Sequence, residues 1–348
     1  MRKTEQEAVV MEINREVLRI DPEVEAERIC EFIRSQVFSK YKRKGVVIGL
    51  SGGVDSALLA CLCVRALGSE KVYGVLLPEK ESSPESAAFA TEQAETLGID
   101  AETVDVTPMI TAFGVYENRD RVIRRLCPDF DPDRDKMKIV LPPDLLHRDS
   151  LNIFSLVIDK ADGESLSYRL RPGQIREIAA AQNIKQRARM IQLYSFAERL
   201  HYVVGGTTNR TEMDQGFFVK HGDGGVDIEP MAHLYKTQIF QLAEHMGVTK
   251  NIQERTPSPD TWPGGVTDEE FYFRMPFDIL DLLLYAWNEG LTADDACRAL
   301  DLSVEQVDRA YRDFQSKRDT TWHLRVLPPN LVEDTLDSEV AENISCTE

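Results

Sequence analysis

Residues 45–60 read GVVIGLSGGVDSALLA, and the fold is decided there. Val46 to Leu50 form a short continuous apolar run behind the basic Lys42-Arg43-Lys44, the pattern of a strand covered on both faces. Ala57 to Leu67 continue as an apolar helix closed by Gly68. Between them lies Ser51-Gly52-Gly53-Val54-Asp55-Ser56. Two glycines let the chain turn tightly and bring backbone N–H groups to a ligand without a Cβ in the way. The positive end of the following helix points at the same place, and the Ser51 and Ser56 hydroxyls can donate to phosphate oxygens. Asp55 would repel a phosphate on its own, which makes sense if it holds a Mg²⁺ ion that bridges to the phosphates. Ser/Gly turns without a ligand are common, but one set directly between a buried strand and an apolar helix argues for an anion site.

Working outward, Asp21-Pro22 is an N-cap with proline at the first helical position, and Val24, Ile29, Phe32, Ile33 and Val37 carry an apolar stripe to about Phe38. Val72 to Leu77 is a second strand, Pro84 to Leu97 a helix before Gly98, and Glu102 to Val106 a third strand. Ile175 to Leu200 is a long helix, Tyr202 to Val204 a strand ending at Gly205-Gly206, and Lys236 to Met246 a helix before Gly247. This alternation predicts an α/β fold: one doubly wound parallel sheet with helices on both faces, spanning both parts. The expected division is an N-terminal extension at 1–20, the nucleotide domain at 21–107 and 173–275, an insertion or lid at 108–172, a small helical C-terminal part at 276–329 and a disordered tail at 330–348. In the insertion, Asp129, Asp131, Asp133 and Asp135 alternate as in a calcium loop. They lack the glycine and glutamate that an EF-hand needs, so a solvated acidic loop is expected. Residues 291–314 outline two joined helices whose acidic residues at least match the basic ones, which favours helix packing over a DNA reader.

With 348 residues the chain can bury a sizeable core, and no apolar run approaches a membrane span. The first residues mix charges of both signs without an apolar signal region, so a cytoplasmic address is expected. Cys30, Cys61, Cys63, Cys127, Cys297 and Cys346 are scattered and are expected to be reduced, mostly buried thiols. A net charge of −18 argues against a broad nucleic-acid surface and means that an anionic substrate needs a few placed cations.

The loop lacks the GK[ST] ending of a Walker A, which points away from γ-phosphate transfer. It resembles the pyrophosphatase loop of ligases that attack the α-phosphate of ATP. Downstream stand GTTNRTE (206–212), GFFVKHGDGGVDIEP (216–230), NIKQRARM (183–190), LYKTQ (234–238), PSPD (257–260) and HLR (323–325). Together with the loop these resemble the NAD synthetase family, within the adenine nucleotide alpha hydrolase-like, N-type ATP pyrophosphatase group. The resemblance implies ATP bound by Gly49, Leu50, Ser51, Gly52, Gly53, Val54, Asp55, Ser56, Thr207, Lys236 and Ser258. It further implies Mg²⁺ on Asp55 and Glu212, deamido-NAD on Arg187, Lys220, Asp227 and His323, and Lys236 as the catalytic cation. Taken singly, each has a plainer reading: Arg187 as a helix former, Lys220 as a surface charge, the GDGG run as a tight turn. Their shared order argues against that.

The implied activity is ATP-dependent amidation of deamido-NAD through an acyl-adenylate, releasing AMP and pyrophosphate, with ammonia as nitrogen donor. No room precedes Gly45 for a fused glutaminase domain, so free ammonia or a separate glutaminase is expected, and the family implies a homodimer. Glu79 to Glu85 and the stretch after Pro257 correspond to loops that close over substrates in the family. Two departures stand out: Leu324 where many members carry lysine, and the length of 108–172. They keep open a related adenylating ligase acting on another carboxylate. A nucleotide-binding regulator with a C-terminal helix-turn-helix is the alternative from another class.

Overall fold

The structure, a computed structural model, describes residues 15–148 and 152–329. Most of the N-terminal extension, the tail at 330–348 and Cys346 lie outside the described residues. Strands β1 (Val46–Gly49), β2 (Val72–Leu76), β3 (Asp100–Thr103), β4 (Lys136–Val140), β5 (Ser155–Asp159), β6 (Ser165–Arg169) and β7 (Val203–Gly205) form two sheets. The first is parallel in the order β3-β2-β1-β7, the second antiparallel in the order β4-β5-β6.

The opening stretch behaves as its pattern demands. Val46 and Ile48 of β1 enter one core and Val47 the other, so both faces are covered and every position is apolar. Each such side chain contributes roughly 1.5–3 kcal/mol on burial. Helices α1 (Pro22–Arg34), α2 (Val54–Leu67) and α3 (Pro84–Leu97) cover the first face. Asp21 caps α1 by accepting from the N–H groups of Glu23 and Val24. The buried stripe of α1 is Ala26, Ile29, Cys30 and Ile33, continued by Val37; Val24 and Phe32 are exposed, at 64% and 40%. An expectation based on apolar character alone widened the stripe onto the solvent side. The third strand begins at Asp100, earlier than Glu102, because all four of its residues are exposed at the sheet edge and no apolar run marks it.

The opposite face carries α4 (Thr107–Ala112), α5 (Val115–Arg124) and α6 (Pro172–Leu200). In the second sheet Met137, Ile139, Leu156 and Ile158 point into a separate small core with Val122, Ile123, Ile178 and Trp262. Asp135 is buried here, which corrects the expectation of a wholly solvated acidic loop: it accepts from Lys160 Nζ at 2.9 Å and from the N–H groups of Asp131 and Ala161. Cys30, Cys61, Cys63 and Cys127 are buried, free thiols, and Cys297 is half-buried.

After β7 come α7 (Arg210–Gln215), α8 (Lys236–His245) and the short α9 (Lys250–Gln253). Helices α10 (Phe277–Asn288), α11 (Ala293–Leu300), α12 (Val304–Thr320) and α13 (Trp322–Arg325) close the chain. The apolar faces of α11 and α12 turn inward, placing Ala296, Leu300, Val307 and Phe314 in one core with Leu283 of α10. Among the described residues no helix is long and apolar enough to cross a membrane.

From β1 the chain winds to β2 and β3 on one side, then returns to place β7 on the other side of β1. The crevice at the carboxyl ends of β1 and β7 is therefore the switch point of the sheet, where an open parallel sheet binds its ligand.

Candidate functional site

A cavity of about 310 Å³ fills that crevice. Gly49, Leu50, Ser51, Gly53, Val54, Asp55 and Ser56 line it from β1 and the start of α2, Thr207 and Glu212 from the far side, and Lys236 and Ser258 complete the wall. Gly52 is the one member of the expected ATP set that is not on the wall. It is buried, with φ +75°, and a Cβ there would stand 2.3 Å from the Ser86 carbonyl oxygen. Its task is to let the loop pass close against α3. Ser51 and Ser56 brace the turn: their hydroxyl oxygens are 3.1 Å apart, and Ser56 Oγ donates to the Gly53 carbonyl at 3.0 Å.

The polar centre is built from α2, α7 and α8. Lys236, 2% exposed, sits at the first position of α8 and donates to Asp55 Oδ2 at 2.6 Å, with Glu212 Oε1 at 3.7 Å. Asn209 caps α7 in a reciprocal box, accepting from Glu212 N–H at 3.0 Å while Glu212 Oε2 accepts from Asn209 N–H at 3.3 Å. Its amide also donates to Asp55 Oδ1 at 3.0 Å. One asparagine therefore fixes both carboxylates, and Glu212 has a structural bond as well as a free face toward Lys236. Burial works against the Lys236 ammonium, yet Asp55, Glu212 and Asp268 outweigh it and hold the charge above the usual lysine range. Burial raises the Glu212 carboxyl; Lys236 opposes this, and Asp55 and Asp268 add to it.

Asp55 and Glu212 offer only carboxylate oxygens, a hard donor set suited to Mg²⁺. Asp268 lines the same wall, is 5% exposed, and its Oδ1 has no hydrogen-bond partner among the described residues. Among the described residues no group of three His, Cys, Asp or Glu is placed to hold a metal alone. These residues fit an ion that completes its shell with phosphate oxygens and water, as Mg²⁺ does.

The four residues expected on the dinucleotide lie off the cavity wall. Arg187 Nε donates to the Lys220 carbonyl at 3.2 Å, and Lys220 Nζ to the carbonyls of His323 and Val326 at 2.9 and 3.0 Å, so three of them meet at one edge. Asp227 stands apart from these bonds. Its Oδ2 accepts from Val204 N–H at 2.8 Å and its Oδ1 from the Tyr194 hydroxyl at 3.1 Å, pinning the end of β7 to α6.

Sequence reasoning missed Arg189, Asp223, Arg255 and Asp268, all on the wall. Arg189 and Asp223 fall within the quoted NIKQRARM and GDGG runs, where either could have been named. Burial pushes Asp223 and Asp268 each up to about 6. The segments near Glu79 and after Pro257 are joined: Asp260 accepts from Ser83 N–H at 3.1 Å and from Ser86 Oγ at 2.7 Å, and Arg255 reaches Ser86 Oγ at 2.7 Å.

Residues 25–126 and 150–321 match the model of the NAD synthase family, leaving 127–149 between the two matched parts. The NH(3)-dependent NAD(+) synthetase of Rhizobium meliloti (strain 1021) is 44% identical over 324 residues, 93% of this chain and 96% of that protein. The protein of the same name from Mesorhizobium japonicum is 41% identical over 312 residues, 90% and 97% of the two chains. Among solved structures, the NMN synthetase from Francisella tularensis shares the fold, with a TM-score of 0.61 at 23% identity over 90% of this chain and 99% of that one.

Proposed function

The chain belongs to the NAD synthase family, and from that premise we propose that it amidates deamido-NAD to NAD, consuming ATP and ammonia. It is a carbon–nitrogen ligase of NAD biosynthesis. The observation that carries the reading is the Lys236–Asp55–Glu212 centre set against the SGGVDS turn at the switch point of the sheet.

A carboxylate is a poor acceptor for ammonia because its hydroxide-like leaving group is bad. In the proposed first step a nicotinate carboxylate oxygen attacks the α-phosphorus of ATP, the α–β bridging bond breaks, and pyrophosphate leaves. The N–H groups of residues 51–56 and the start of α2 hold that pyrophosphate. Lys236 sets its charge beside the transferring phosphates, and the Asn209 bonds keep Asp55 and Glu212 from turning away. Mg²⁺, held by Asp55 and Glu212, would neutralise phosphate charge when bound. In the second step ammonia attacks the carbonyl carbon and AMP leaves. No side-chain nucleophile is required, so catalysis is positioning and electrostatics.

Arg187, Lys220 and His323 meet at one edge, which supports a shared role toward the dinucleotide. A homodimer and a separate source of ammonia are proposed on the family resemblance; sedimentation of the pure protein tests the first. The test of the function is an assay with ATP, Mg²⁺, ammonium and deamido-NAD, expected to yield one AMP per NAD. AMP formation with a different carboxylate and none with deamido-NAD would transfer the reading to the related ligase.

A further inference from the structure

Behind the cavity wall lies a buried ionic network that the proposed chemistry does not use. Lys185 of α6 is fully buried, and its ammonium uses all three donors: Glu79 Oε1 at 2.7 Å, Glu81 Oε2 at 2.7 Å and the Thr261 carbonyl at 2.9 Å. Glu79 also accepts from the Tyr116 hydroxyl at 2.6 Å. Arg119, 1% exposed, grips Glu81 bidentately at 2.6 and 2.8 Å, and its Nε donates to Asp120 at 2.9 Å. Tyr116 and Arg119 both belong to α5.

The placement of these partners gives the network its meaning. Pro78, Ser82 and Ser83, which flank Glu79 and Glu81, line one side of the cavity, and residues 256–260, which lead into Thr261, line another. Lys185 Nζ ties both segments at one atom, beside the direct bond from Ser83 N–H to Asp260 Oδ1. One turn further along α6, Arg189 donates to the Leu77 carbonyl at 3.1 Å and to Ser82 Oγ at 3.4 Å, so the helix holds the first segment at both ends.

We propose that Lys185 is a positioning residue that latches segments 79–83 and 256–261 into one cavity wall before substrate arrives, with Arg119 and Tyr116 of α5 as its anchor. Only the choice of ATP as the ligand that senses the latch rests on the functional reading above. Replacing the ammonium leaves two buried carboxylates short of a cation, a strongly unfavourable arrangement that loops relieve by opening. A protein whose wall is closed only part of the time binds its ligand more weakly by that fraction, while the saturated complex reacts as before.

Amide hydrogen exchange followed by mass spectrometry separates a latch from general destabilisation. Lys185→Met should speed exchange about tenfold or more in both 79–83 and 257–262, with β1 and β2 unchanged. Arg119→Met, which loses the Glu81 and Asp120 contacts but touches nothing in 256–261, should loosen 79–83 alone. Tyr116→Phe removes one hydroxyl and preserves the fold if the other variants do not; it should speed 79–83 by less. In steady state the KM for ATP should rise in Lys185→Met with kcat held within about twofold. Uniform acceleration that includes β1 and β2, equal loosening of 257–262 by Arg119→Met, or a fall in kcat at unchanged KM would overturn the latch. If the wild-type protein failed to amidate deamido-NAD, the functional reading would fall while the exchange pattern still decided the latch.

Discussion

Lys236 Nζ stands 2.6 Å from Asp55 Oδ2 across 181 residues of sequence, and it is the only ammonium within ion-pair distance of both Asp55 and Glu212 among the described residues. If this cation faces the transferring phosphates, Lys236→Met should slow adenylation by about 10²–10³, the usual loss when one preorganised charge is removed. Pyrophosphate release with ATP, Mg²⁺ and deamido-NAD measures it directly. A variant within tenfold of wild type would remove Lys236 from the chemistry. Asp55→Asn is the companion variant, since it keeps a side chain against Asn209, whereas Asp55→Ala would strand a buried ammonium and confuse folding with function.

Gly52 and Gly53 look alike in sequence and differ in what they can become. Gly52 has φ +75° and no room before the Ser86 carbonyl, so Gly52→Ala should cost at least roughly 1–2 kcal/mol from backbone conformation alone. Gly53, the N-cap of α2 with φ −96°, would place a Cβ 3.4 Å from Ser51 Oγ, an ordinary contact. Thermal melting should therefore separate the two: Gly53→Ala close to wild type, Gly52→Ala clearly lower. Equal melting temperatures would mean that the loop relaxes freely away from α3.

Asp281 of α10 supports the Lys236 end of α8, accepting from the Thr211 hydroxyl at 2.6 Å and from Thr237 N–H at 2.7 Å. Burial pushes its carboxyl up to about 6. Because the folded value is raised, folding favours the protonated acid; that contribution is full below about pH 4 and is lost as pH rises through 6. Asp281→Asn does not titrate, so the stability of wild type relative to it should fall by on the order of 2–3 kcal/mol between pH 4 and 6.5 and then level off. Urea unfolding at several pH values tests this, and a difference that grew with pH would contradict it.

The parallel sheet was legible because β1 and its loop carry an apolar run, glycines and position together, and the same run marked one side of the cavity. The edge strand β3 was displaced in the reading because exposed residues leave no apolar signature. Asp135 looked solvated because sequence cannot show that Lys160 and two backbone N–H groups converge on it. Asp268 and Arg255 stayed hidden for a related reason: their segment meets the site through contacts with residues far away in the chain, such as Arg255 with Ser86, and no local spacing announces that.

Asp227 and Lys220 were both expected on the dinucleotide, and the structure sets them to different tests. Both carboxylate oxygens of Asp227 are engaged, one by the Val204 N–H on the outer edge of β7, so Asp227→Ala leaves a buried backbone donor unpaired and should cost about 1–3 kcal/mol of stability whatever it does to substrate. Lys220 is half-buried at the edge with Arg187 and His323, and among the described residues its ammonium bonds only to the carbonyl oxygens of His323 and Val326. Lys220→Ala should leave stability within about 0.5–1 kcal/mol while raising the KM for deamido-NAD. Chemical denaturation beside acceptor kinetics on both variants discriminates the roles. If Asp227→Ala unfolded like wild type and lost only acceptor affinity, its two hydrogen bonds would be exchangeable for substrate. If Lys220→Ala melted early with an unchanged KM, its part would be to hold α13.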